Sequence, residues 1–207
     1  MLSLRQLILC AGLTAILASC SGVEAKPVRG GGAEAKPATV GVIDSILPRD
    51  VTIARFRQNL PQVAEFSGGA PSREALVRRF VTALERRDTM ALNHLLLTPS
   101  EFGWLYYPTN PEGLPPYNLR PDLLWFLIQG QNAKGYSRLL QRVAGRPMHL
   151  IGHRCEGQPS HQGKNTVWGP CLVLRRTEQG DTVTERFFGL IVERDGRYKF
   201  LNYANKL

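Results

Sequence analysis

Residues able to do chemistry crowd into one stretch of the chain. His149, His153, Cys155, His161 and Cys171 lie within it. Thiols and imidazoles together suit zinc, whereas two thiols alone suit a disulfide. Spacing distinguishes the two. Residue 163 is the midpoint of the cysteines and sits in the polar run Gly157-Gln158-Pro159-Ser160-His161-Gln162-Gly163-Lys164-Asn165. Apolar, strand-like segments flank that run. A hairpin turning there sets Cys155 directly opposite Cys171. Opposed Cα atoms in an antiparallel pair lie about 4.5–5.5 Å apart, and a disulfide accepts roughly 4.4–6.8 Å. His149 and His153 share a strand face, but four strand residues span about 13 Å. One zinc holds its nitrogen ligands at about 2.1 Å. We therefore expect a Cys155–Cys171 disulfide, no metal and no cofactor.

Other chemistry leaves little trace. The chain has no P-loop, GxSxG, HExxH or GxGxxG. An acid–base pocket needs a carboxylate beside a hydrogen-bond donor. Asp122, Glu185, His149, His153, Tyr106, Tyr107 and Tyr203 have the right types, yet no spacing pairs a carboxylate with a histidine. No catalytic residue is assigned. Trp104, Tyr106, Tyr107, Tyr117, Trp125 and Phe126 gather around Pro108–Pro116, which holds four prolines. Aromatic faces beside proline make interfaces or sugar-stacking surfaces, or they pin the loop to a core. The candidate pocket or interface positions are Trp104, Tyr106, Tyr107, Tyr117, Trp125, His149, His153 and Glu185.

The elements that would position these residues follow from periodicity. Ser72 caps a helix over 74–87, with Ala75, Leu76, Phe80, Val81 and Leu84 at helical spacing. Asp88 caps a second helix. Thr98-Pro99-Ser100-Glu101 is a capping box with proline at the first helical position. Pro121 opens a long helix that stops at Gly145-Arg146-Pro147. Four strands follow, Met148–Glu156, Val167–Arg176, Thr182–Glu193 and Tyr198–Asn205, with a hairpin turn at Asp195-Gly196. The class is α+β, with helices packed on an antiparallel sheet of four or more strands. Strand Thr182–Glu193 is apolar on both faces, so its second face is covered, by the preceding segment or by a second copy in a homodimer.

The N-terminus carries an address. Arg5 precedes an apolar stretch, Leu7–Leu17, too short for the ~20 residues that cross a bilayer. Leu17-Ala18-Ser19-Cys20 then resembles the lipobox of bacterial lipoproteins. The resemblance implies a signal peptide over 1–19, acyl chains such as palmitate on Cys20, and anchoring to an envelope membrane. Ser21 after the cysteine resembles the outer-membrane sorting pattern, which implies a domain facing the periplasm. Disulfides persist in that compartment. Residues 20–40 read as a flexible tether: Glu24-Ala25-Lys26-Pro27 recurs as Glu34-Ala35-Lys36-Pro37 around Gly30-Gly31-Gly32. Residues 41–71 read as a short helical lead-in, ending at the break Ser67-Gly68-Gly69-Ala70-Pro71. Residues 72–207 form the domain. Its leading helix, short second helix and terminal antiparallel strands resemble the NTF2-like (cystatin-like, SnoaL-like) superfamily, which implies a cone between sheet and helices that some members use as an enzyme pocket.

Charge narrows the partners. The 207-residue chain carries 26 Lys and Arg against 17 Asp and Glu. From Ala70 onward 19 basic residues face 12 acidic ones. Nucleic acid is not an expected partner outside the cytoplasm. These features together point to a membrane-anchored envelope lipoprotein with a non-enzymatic domain that binds a ligand or an envelope protein. The alternatives are an isomerase- or dehydratase-like enzyme using the cone, and a module binding anionic glycan or lipopolysaccharide.

Overall fold

The computed structural model describes residues 47–207, which fall in one compact unit. The expected signal peptide, Cys20, the tether and the first residues of the lead-in lie outside the described residues.

Local signals set the helices. Helix α1 (Arg49–Arg57) forms within the lead-in. Helix α2 (Arg73–Glu85) starts where Ser72 Oγ accepts the Ala75 N–H at 3.1 Å, and it buries Leu76, Val77, Phe80, Val81, Ala83 and Leu84. Asp88 likewise caps helix α3 (Thr89–His94). Helix α4 (Pro99–Glu101) has its capping box complete: Thr98 N–H donates to Glu101 Oε2 at 2.7 Å, and Glu101 N–H donates to Thr98 Oγ1 at 3.2 Å. A π-helical turn (Phe102–Tyr106) and two 3₁₀ turns (Tyr107–Thr109, Pro111–Gly113) follow. Helix α5 (Pro121–Arg142) is the longest, with proline at its start.

The sheet corrects the four-strand expectation. Among the described residues, seven strands form two antiparallel sheets. One holds β1 (Leu150–Cys155), β4 (Cys171–Arg176) and β5 (Thr182–Glu185). The other runs in the order β2 (Ser160–Gln162), β3 (Asn165–Trp168), β6 (Ile191–Arg194), β7 (Arg197–Phe200). The expected strand Val167–Arg176 is cut at Gly169-Pro170, because Pro170 has no N–H for a ladder and Gly169 sits at φ +147°. The expected strand Thr182–Glu193 is cut at 186–190. Phe187 and Phe188 are both fully buried in the same cluster. Neighbours in a straight strand point to opposite faces, so the chain must turn there. The polar run 157–165 is not all loop: it contains β2 and the turn into β3. The Asp195-Gly196 turn stands as expected, both residues at positive φ.

The four-stranded sheet is covered on both faces from within the chain. Ile191 and Phe200 join Leu76, Phe80 and Leu92 on one side. Val192, Val167 and Leu201 join Phe102 and Leu105 on the other, with Ile53 and Phe56 of α1 packed against them. The second apolar face of β6 therefore needs no second copy. Between α2, α3 and the sheet the space is filled by Phe80, Phe188, Phe200 and Tyr203, with ring centroids 4.5–5.6 Å apart.

Cys155 and Cys171 are opposed in the β1–β4 ladder and joined by a disulfide. Glu156 N–H donates to the Pro170 carbonyl at 2.8 Å, so the cysteines occupy the neighbouring, closer pair of the ladder. Their Cα atoms are 3.9 Å apart, closer than expected. The bond closes a separation of 16 residues, which is worth about 3 kcal/mol in the chain-entropy picture. A Cys155→Ala/Cys171→Ala variant should lose roughly that much in urea unfolding. Unchanged stability would mean that the ladder alone fixes this register.

Candidate functional site

The largest opening among the cavities described is a groove of about 500 Å³. One wall is α5, presenting Leu124, Leu127, Ile128 and Gln131. The opposite wall is the proline-rich segment, with Tyr106, Asn110 and Glu112. Gln162, Arg186, Leu190 and Asn202 close the floor and end.

The proline-rich wall is held from three sides. Arg49 of α1 donates from Nε to the Gly113 carbonyl and from Nη2 to the Pro108 carbonyl, each at 2.9 Å. Tyr107 Oη donates to the Leu119 carbonyl at 2.6 Å. Thr109 Oγ1 donates to the Gln162 carbonyl at 2.8 Å. Below it, Asn165 Nδ2 donates to the Leu105 carbonyl at 2.8 Å. The bonds to the Pro108, Gly113 and Leu119 carbonyls satisfy groups that the proline-rich segment would otherwise leave to water. The wall is thus fixed by the lead-in helix and the β2–β3 hairpin.

The groove's polar groups are mostly amides. Asn202 Nδ2 donates to Gln131 Oε1 at 3.2 Å. Gln162 Oε1 is buried and finds no hydrogen-bond partner among the described residues. The same amide donates from Nε2 to Ser160 Oγ at 3.3 Å. Burial, reinforced by the nearby Glu112 carboxylate, holds the Tyr106 phenol well above its usual value. It stays a neutral hydroxyl. Glu112 itself is exposed.

The candidate positions scatter. Only Tyr106 lines the groove. Tyr107 is buried and ties the loop to Leu119. Trp125 packs on Phe102 with centroids 4.9 Å apart. Trp104 lies under the Arg57 guanidinium, 4.1 Å from its ring centre. Tyr117 is exposed on the loop. Glu185 pairs with Arg175 at 2.5 Å. His149 lines a shallow depression with Ile151 and Arg176, away from the groove. His153 is half-buried opposite Val173 in β1. No group of three His, Cys, Asp or Glu among the described residues could hold a metal ion. Among them also, no helix is long and apolar enough to cross a membrane. Sequence reasoning missed Gln131, Gln162, Glu112, Arg186 and Asn202. One signal was present: the buried stripe Leu124, Ile128, Gly135, Leu139 of α5 passes beside Gln131, a polar residue at helical spacing.

The buried carboxylate lies elsewhere. Glu101 and Lys199 are each 1% exposed. Lys199 Nζ donates to Glu101 Oε2 at 2.8 Å, to Oε1 at 3.1 Å and to the Ser67 carbonyl at 3.1 Å. The carboxylate also accepts the N–H groups of Ser67 and Thr98, both at 2.7 Å. Every strong site on both ions is used, and none of the cavities described among these residues is lined by either. The pair joins the lead-in, α4 and β7; it has nothing left to offer a substrate.

His153 makes one solution prediction. Burial pushes its imidazole below the ordinary value of 6.5; Glu74 opposes this and Arg73 adds to it. The unfolded chain therefore binds the proton first, and stability falls as pH drops through about 6.5 and below. His153→Gln should flatten that part of the stability–pH curve. An unchanged slope would place the titration on another group.

No protein-family model, curated protein or solved structure matches this chain.

Proposed function

We propose that this protein is a lipid-anchored lipoprotein of the bacterial envelope whose domain binds a partner segment or small ligand in the α5 groove without chemical conversion. The address rests on Leu17-Ala18-Ser19-Cys20 after a short apolar stretch. Several acyl chains would hold it firmly, since each buried methylene adds about 0.8 kcal/mol. The single observation that carries the binding reading is the amide-lined groove, with Asn110, Gln131 and Asn202 among its lining residues. Amides offer both donors and acceptors, and leucines line the opposite wall. That combination suits a peptide-like ligand with alternating polar and apolar groups.

Two observations weigh toward binding over catalysis. The buried carboxylate is closed off by Lys199, and the carboxylate at the groove, Glu112, is exposed to water. An NTF2-like architecture is supported by helices that precede the strands and by strands that pass from one sheet to the other. Its cone would coincide with the space filled by Phe80, Phe188, Phe200 and Tyr203.

The test uses the mature chain, extracted gently in detergent and measured by native mass spectrometry. Wild type should carry a mass that leaves on denaturation. Gln131→Trp, which fills the groove, should not carry it. Cys20→Ala should lose incorporated palmitate and leave the membrane fraction. The same bound mass in Gln131→Trp would sink the groove assignment, and palmitate retained by Cys20→Ala would sink the anchor.

A further inference from the structure

A second cleft, of about 420 Å³, lies between the outer face of α2 and α3. Arg78, Arg79, Thr82 and Arg86 line it from α2, and His94 from α3. Thr82 stands four residues from both Arg78 and Arg86, and three from Arg79. Helical geometry therefore sets all four on one side of α2. All three arginines are exposed, and among the described residues none belongs to an ion pair. The cleft's one acidic group, Asp88, is occupied in capping α3, where Oδ1 accepts the Ala91 N–H at 2.9 Å. The floor is apolar, made by Ala83, Ala91 and Leu95.

Like charges crowded on one helix face repel one another. The one acid among them, Asp88, is turned to the cap of α3 and pairs with none of the three arginines. Guanidinium groups bind phosphate by paired N–H donors. His94 and the Thr82 hydroxyl add further polar groups to the same rim. The floor beneath would leave a free oxyanion with nothing to cover it. Together they fit a molecule with a charged head and an apolar body.

We propose that this cleft binds a phosphate-bearing amphiphile, with the phosphate held by Arg78, Arg79 and Arg86 and its apolar part on Ala83, Ala91 and Leu95. The site is separate from the α5 groove and does not depend on the proposed function. The ligand could be free in solution or part of a bilayer, and the two sources are distinguishable.

The experiment is titration calorimetry of the mature chain in a non-ionic detergent. The probes are dihexanoyl phosphatidylglycerol, dihexanoyl phosphatidylcholine and inorganic phosphate. The anionic lipid should bind at least about tenfold more tightly than either of the others, and more weakly as salt is raised. The exposed triple variant Arg78→Gln/Arg79→Gln/Arg86→Gln should lose at least about tenfold for that lipid. Its melting temperature should not fall, because like charges are removed, and any mass bound in the α5 groove should be unchanged. Flotation with phosphatidylcholine vesicles, with and without phosphatidylglycerol, assigns the source. Cys20→Ala serves there, so that the lipid anchor cannot carry the protein. Capture only with the anionic vesicles marks a bilayer ligand; binding of the soluble lipid alone marks a free one. Equal affinity for the two lipids, or full binding by the triple variant, overturns the proposal. Inorganic phosphate binding as tightly as the anionic lipid overturns it as well.

Discussion

Alanine at Gly135 should destabilise the domain by about 3–5 kcal/mol, although in an isolated helix the same change is worth about 1 kcal/mol of stabilisation. Gly135 lies inside α5 and is buried. A Cβ there would fall 1.7 Å from the Tyr203 carbonyl oxygen, 2.5 Å from its carbon and 3.2 Å from the Ala204 nitrogen. These are backbone atoms, which cannot swing aside as a side chain would. The crossing is also bonded. Asn205 Nδ2 donates to the Gly135 carbonyl at 2.8 Å, and Tyr203 N–H donates to Asn132 Oδ1 at 3.1 Å. To admit a methyl group, residues 203–205 must move off α5. That would pull Tyr203 from the rings of Phe80 and Phe200. Gly130 is the control on the same helix. It is exposed, with no atom within 4 Å of its hypothetical Cβ. Gly130→Ala should stabilise by about 0.5–1 kcal/mol. Urea unfolding of the two variants checks both signs. If Gly135→Ala is as stable as wild type, the C-terminal segment does not cross α5 at this glycine.

The second large effect concerns Lys199 and Glu101. Lys199→Met should cost about 3–5 kcal/mol, because it strands a buried carboxylate without a cation. Glu101→Gln should cost a comparable amount by stranding the ammonium. Glutamine can still accept the Thr98 N–H, but its NH2 then meets the Ser67 N–H and Lys199 Nζ, so its cost combines the lost charge with a lost acceptor. The double variant Glu101→Gln/Lys199→Met leaves no buried ion. It should be more stable than the sum of the two single losses predicts, and closer to wild type than either single variant. Denaturant unfolding of all four proteins gives the coupling directly. Additive costs would mean that the two ions do not depend on each other, against the geometry of two bonds donated from one to the other.

What the sequence determined by itself is local. Ser72, Asp88, Thr98 with Glu101, and Pro121 mark helix starts, because a cap needs only residues a few positions away. Asp195-Gly196 marks its hairpin, because the turn demands positive φ at both residues. The Cys155–Cys171 pairing was legible because both cysteines lie nearly symmetrically about the turn at 163–164, although β1–β4 and β2–β3 fall in different sheets with registers one residue apart. Even the break at Gly169-Pro170 is written there, since proline cannot join a central ladder, although the apolar pattern continuing on both sides masks it. The tertiary structure decided the rest. Lys199 alternates with Tyr198 and Phe200 as an exposed strand lysine would. It is buried because Glu101, 98 residues earlier, meets it across the sheet. Phe187 and Phe188 enter one core because the chain turns between two sheets. The groove is made where α5, the proline-rich wall and the segment around Asn202 converge. Its amides are unremarkable in their own neighbourhoods and gain meaning only from what lies across from them. Capping and turn formation depend on neighbours in sequence. Burial, ion pairing and cavities depend on neighbours in space, and one chain without its fold does not say which those are.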